Sequence, residues 1–239
     1  MNRAFEIGPT LLATVLLILA VPAQGSVNKD IEIAAGSASD GASSVNGRVR
    51  VGESATVSGK LSTVNGSIDI GRDASIQAAG TVNGGIRVST NARTTDLKTV
   101  NGSIEISDQA QVGGEVTAVN GRISMASNSL VAHGLSNVNG EIALAGGRVE
   151  GDVSTVNGNV ELSNGASIGG DLVIKEPKGI SWGRDMRKPQ IVIGPGSQVE
   201  GLIRAEREIE LYISDRARVG GVEGKATMAD AVRFSGDRP

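Results

Sequence analysis

Asn28, Asn46, Asn65, Asn83, Asn101, Asn120, Asn139 and Asn157 follow one another at intervals of 18 or 19 residues. Seven of them stand in the tripeptide Val-Asn-Gly, and the first reads Val27-Asn28-Lys29. A period this short and regular specifies one unit of chain stacked on copies of itself. It also means that the conspicuous recurring residues must be tested as scaffold before they are read as chemistry.

The third and fifth residues after each Asn form the series Ile31 and Ile33 through to Val160 and Leu162. Every member is apolar, and most are β-branched. Between them lie polar residues such as Glu32, Arg50, Asp69, Arg87, Glu105 and Glu161. Apolar–polar–apolar alternation is the signature of a strand with one buried face. A weaker pair follows: Ala55 and Val57, Ala74 and Ile76, Ala110 and Val112, Ala166 and Ile168. Val64, Ile70, Ile76, Val82 and Val88 step by six residues, so each repeat divides into three sides. The pattern predicts an all-β fold, a single-stranded triangular β-helix (β-solenoid) with one coil per 18–19-residue repeat. Hairpins turning at Asn-Gly would need a second alternating arm, and Ser62-Thr63-Val64 is too short and polar to supply one. The period and composition do not fit a leucine-rich repeat, and no helical period appears after residue 25.

Asn and Gly both accept left-handed backbone conformations, which suits Asn-Gly to a corner. Stacked coils place equivalent residues about 4.8 Å apart, so the eight amides are expected to hydrogen-bond as a ladder. On the neighbouring side Glu32, Arg50, Asp69, Arg87 and Glu105 alternate in sign from coil to coil, predicting ion pairs along the stack. A nucleic-acid surface would gather one sign instead.

The Val-Asn-Gly motif ends at Asn157, but the coil pattern continues. Ile191 and Ile193 match Ile209 and Leu211 at a spacing of 18, and Val199 matches Val219. About ten coils then fill residues 26–221, with 222–239, including Val232 and Phe234, as a C-terminal cap or tail. Val160 to Ile191 is 31 residues, which is one 18-residue repeat plus 13. The excess predicts an insertion loop over about 175–190. That loop carries Lys178, Trp182, Arg184, Arg187 and Lys188, a candidate binding surface for acidic or sugar-containing partners. The alternative is that Trp182 folds back over the coil.

The 23 basic and 26 acidic residues give a net charge of −3, which fits neither a nucleic-acid binder nor a membrane-surface binder. Aromatics make up 2 % of the chain, too few for an ordinary globular core but sufficient for a narrow coil filled by Ile, Val and Ala. Residues 1–25 stand outside the repeat. Arg3, the apolar run Leu11 to Val21, and Ala23-Gln24-Gly25 read as a signal peptide, with an uncleaved anchor as the alternative. Beyond that segment no membrane contact is expected. The chain has no Cys, which excludes disulfides, thiolate metal sites and a lipid-modified cysteine. Its single His, His133, reads as a surface residue rather than a general base. The glycine-rich calcium repeat is absent. Thr63, Thr81, Thr99 and Thr155 recur too incompletely for an ice-binding ladder. No catalytic residue, metal or cofactor is predicted.

Gly165-Ala166-Ser167-Ile168-Gly169-Gly170-Asp171-Leu172 and Gly196-Ser197-Gln198-Val199-Glu200-Gly201-Leu202-Ile203 resemble the repeats of bactofilins, polymer-forming bacterial cytoskeletal proteins. The Val-Asn-Gly repeats resemble a bacterial adhesin-like family. Together these likenesses span residue 27 to about 221. The bactofilin resemblance implies a right-handed triangular β-helix that polymerises end to end. The expectation is therefore an exported, non-enzymatic scaffold or adhesin-like protein of the bacterial periplasm or cell envelope, associating with itself end to end or as a homo-oligomer. The alternative is a carbohydrate-binding or carbohydrate-active β-helix that meets envelope glycans through the 175–190 loop.

Overall fold

A computed structural model describes residues 25–177 and 187–239. The signal-peptide reading, all but its last residue, and Lys178, Trp182 and Arg184 lie outside these residues. Among the described residues no helix is long and apolar enough to cross a membrane.

Each coil has three short sides. Face A follows the Asn and runs in eleven parallel strands from Ile31–Ile33 to Val232–Phe234. Face B begins with Ala38–Ser39, and face C runs toward the next Asn, as in Ala42–Ser44, or reaches it, as in Asp96–Asn101. Faces B and C share one 17-stranded parallel sheet, because strands such as Thr56–Thr63 and Ser75–Asn83 continue around the corner between them. That corner is absorbed by a register shift between Val57 and Lys60. The fold is a three-sided β-solenoid.

The inward positions explain the sequence period. Ile68 and Ile70 pair with Ile86 and Val88, and Ile104 and Ile106 pair with Ile123 and Met125, all essentially inaccessible to solvent. Each such side chain contributes on the order of 1.5–3 kcal/mol by leaving water. Face B adds Ala55, Ala74, Ala92 and Ala110, and face C adds Leu61, Leu97, Val116 and Leu135. Since every backbone bond of the ladder runs to the coil above or below, no coil can hold its hydrogen bonds alone.

Four expectations change. First, the stack has eleven rungs on face A rather than ten coils in all. The extra rung is Val232–Phe234, from the segment expected as a C-terminal cap or tail. Second, Ile191 and Ile193 pair with Leu211 and Ile213, not with Ile209 and Leu211. The chain turns from Ala205 to Leu211 without Val-Asn-Gly, so this coil takes 20 residues rather than 18. Third, the Val before each Asn lies outside. The buried residue is the one before it: Thr63, Thr81, Thr99 and Thr155 are all 2 % exposed or less. Period-2 alternation permits only one of two neighbours to face inward. These Thr therefore form no surface ladder.

Fourth, left-handed backbone is not what the Asn corner uses. Gly36, Ser54, Asp73, Asn91, Gln109, Asn128, Gly146 and Asn164, at the corner between faces A and B, have φ of 53–79°. No ladder Asn has positive φ, and of the seven glycines that follow them only Gly140 does. Those glycines answer a steric demand: a Cβ on Gly66, Gly84, Gly102 or Gly121 would strike the carbonyl of the glycine one coil earlier.

Candidate functional site: the asparagine corner

The eight asparagines meet as expected. Seven hydrogen bonds of 2.8–2.9 Å join them, each amide nitrogen donating to the amide oxygen one coil earlier, from Asn46 to Asn28 up to Asn157 to Asn139. Behind the ladder, the Thr63, Thr81 and Thr99 hydroxyls donate at 2.9–3.0 Å to the carbonyls of Gly47, Gly66 and Gly84. In a later coil Asn137 takes this inner place and donates to the Gly121 carbonyl at 2.8 Å. The corner thus joins consecutive coils twice, by an outer amide and an inner hydroxyl.

The ladder has a terminus that the repeat analysis missed. Arg207 is 9 % exposed, and its Nη1 donates to Asn157 Oδ1 at 2.7 Å and to the Val156 carbonyl at 3.2 Å. Its Nη2 donates to the Arg187 carbonyl at 3.3 Å. A guanidinium has donors only, so Asn157 must turn its oxygen toward Arg207 and its nitrogen toward Asn139. That choice propagates through all eight amides and sets the direction of the whole ladder. The negative end of the aligned amides is thereby closed by a cation. The signal was present in the sequence. Thr155, Ile174 and Ala205 are stacked partners, and Arg207 stands two residues after Ala205, as Asn157 stands two after Thr155. Arg207 occupies the asparagine register two coils on, and its long side chain spans the coil from which the insertion departs.

The insertion leaves from this same corner. On its C-terminal side Arg187 and Lys188 are exposed, and Lys188 pairs with Glu208 at 2.9 Å. The hydrogen bond and then the charge of Lys188 hold the Glu208 carboxyl below its usual range, and Glu208 raises Lys188 in return. On the N-terminal side the Glu176 amide donates to Glu206 at 3.0 Å. The cation Lys188 is thus committed to a neighbouring carboxylate.

The alternating charges of face A stack in the expected register, Glu32 on Arg50 on Asp69 on Arg87 on Glu105. The ion pairs are fewer than the register allows. Arg87 reaches both Asp69 at 3.2 Å and Glu105 at 3.0 Å, whereas it is Arg48, not Arg50, that approaches Asp69, at 3.5 Å. Hydrogen bonding to Glu105, then the Glu105 charge and Asp69, push the Arg87 guanidinium still higher. These exposed pairs are each worth only about 0.2–1 kcal/mol.

His133 is exposed; its backbone N–H bonds to the Gly114 carbonyl, and its carbonyl accepts from Gly151. Among the described residues no three His, Asp or Glu gather as a metal site. The corner offers amides, hydroxyls and one guanidinium, a set that can bind and hold but supplies no nucleophile paired with a base. The chain matches no family model, no curated protein and no solved structure.

Proposed function

We propose that this protein is an exported, non-enzymatic structural element of the bacterial cell envelope, a short rigid rod serving as a scaffold or adhesin-like surface. The observation that carries this reading is that the recurring polar residues are spent on joining coils. The asparagines bond to one another, the threonines to glycine carbonyls, and Arg207 closes the series. A fold that commits its repeated chemistry to rigidity serves as a support. The sequence of residues 1–25 supports export.

End-to-end growth is opposed at the C-terminal end. Val232 pairs with Tyr212 and Arg233 with Ile213, so the last rung is shifted by one residue relative to the inward pattern. Arg233 takes the column of a core isoleucine, and a charge there blunts an edge against further stacking.

Cell fractionation with N-terminal sequencing tests the proposal. The expected product is an envelope or periplasmic chain beginning near Ser26. Recovery of the intact chain from the cytoplasm would overturn it.

A further inference from the structure

Face C differs from the other two faces in the chemistry of its outer surface. Its column beside the asparagines is Val27, Val45, Val64, Val82, Val100, Val119, Val138 and Val156, one valine on each of eight rungs. Val27 is 64 % and Val45 39 % exposed, and the others are half-buried. The next outward column is Gly25, Ser43, Ser62, Gly80, Lys98, Thr117, Ser136 and Ser154; of these Ser62, Gly80, Thr117, Ser136 and Ser154 are buried among their stacked neighbours, so the column forms a shallow floor beside the valines. Only Lys98 in these two columns is charged. The third column carries Lys60, Ala78, Asp96 and Glu115 on rungs three to six. Beyond rung eight the valine column gives way to Lys175 and Glu206, and the small-residue column to Val173, Arg204 and Glu223.

This surface is complementary to itself. A half-turn about an axis along the strands, passing between rungs four and five, exchanges rung four with rung five and rung three with rung six. Lys60 on rung three then faces Glu115 on rung six of the second copy, and Glu115 faces its Lys60. Neither side chain has an ion pair among the described residues. Lys98 on rung five faces Gly80 on rung four, so the one charge in the small-residue column meets a position without a side chain. Val82 faces Val100, and Ser62 faces Thr117. The valine column, with Lys60, Lys98 and Glu115, supplies most of the accessible surface of the strip, which places the contact at the small end of specific interfaces.

We infer that face C docks antiparallel on face C of a second copy of this chain, closing a twofold dimer in which Lys60 and Glu115 pair across the interface. Two flat sheet faces of small side chains pack about 10 Å apart, within reach of a lysine–glutamate pair. The inference concerns the purified chain and is independent of where that chain resides in the cell.

Sedimentation of the purified chain over a concentration series tests it. The expected result is a monomer–dimer equilibrium. Lys60→Glu and Glu115→Lys should each weaken the dimer by tenfold or more, and the double variant K60E/E115K should recover most of that loss. Val100→Asp should abolish the dimer, while Gln111→Arg on face B should leave it unchanged. These positions point outward, and an unaltered melting transition would confirm that each variant folds. A monomer at every concentration would overturn the inference. So would larger assemblies that none of the face C substitutions affects.

Discussion

The two sharp corners of each coil solve the same geometric problem with different means. At the corner between faces A and B the solution is conformational: in each of the first nine coils one or two residues adopt a left-handed backbone, with φ between 53° and 79°. That requirement constrains no side chain, and Gly, Ser, Asp, Asn and Gln all appear there. At the Asn corner the backbone is ordinary, and the demand is for one amide and one residue without a Cβ. That demand admits almost no alternatives, so Asn-Gly repeats while the other corner drifts. A repeated motif therefore marks the place where coils touch by side chain and by steric contact, and not the place where the backbone is strained.

The sharpest test of this contrast is Gly102→Ala. The added Cβ would meet the Gly84 carbonyl, a backbone atom that cannot move without shifting a neighbouring coil. A loss of about 3 kcal/mol or more, in the range of severe overpacking, is expected in denaturant titration. A cost near zero would show that the corner does not need close approach. Next in size is Arg207→Met, which keeps the apolar stem and removes the donors to Asn157, Val156 and Arg187. Hydrogen bonds to a charged group of this kind are worth about 1.5–3 kcal/mol, and the loss should appear as faster amide exchange around residues 156–157 and 187–190.

Asn101→Ala breaks two ladder bonds in mid-stack and is expected to cost about 1–2 kcal/mol. Asn28→Ala breaks one bond at the end of the stack and should cost about half as much by thermal melting. Equal losses would mean that the amides do not act as a ladder. The smallest effect is expected at the other corner. Gln109, at φ 61°, pays about 1 kcal/mol for its conformation, so Gln109→Gly should be neutral or stabilising by up to about 1 kcal/mol. The two glycine substitutions are thus predicted to have opposite signs: alanine for Gly102 destabilises, whereas glycine for Gln109 does not.

The alternation of Ile and Val made face A legible in the sequence, because a period of two assigns the buried side without further information. The Asn ladder was legible because seven intervals of 18 or 19 residues place each amide beside the next. The inner corner was less legible. Val64 and Thr63 are adjacent, Val is the more apolar, and only the observed register shows that Thr turns inward to meet a glycine carbonyl. The last coils were misaligned by two residues because Ile209, Leu211 and Ile213 offer two equally apolar registers, and strand pairing selects the second. Arg207 escaped notice for a related reason. It interrupts the motif in identity while preserving it in position, and a search for Asn does not find the cation that ends a row of amides.

The inner dimension of the stack follows from the Gly-to-carbonyl contact at the Asn corner. Since each glycine sits against the coil before it, the advance per repeat is fixed by backbone thickness and does not depend on which side chains decorate the faces. The chain behaves as a graduated ruler. Removing or duplicating one 18- or 19-residue interval, Asn to Asn, would shorten or lengthen the rod by one division of about 4.8 Å and leave both ends as they were. Length is therefore a trait that unequal recombination between repeats can adjust in single steps, without any change to the chemistry of the surface.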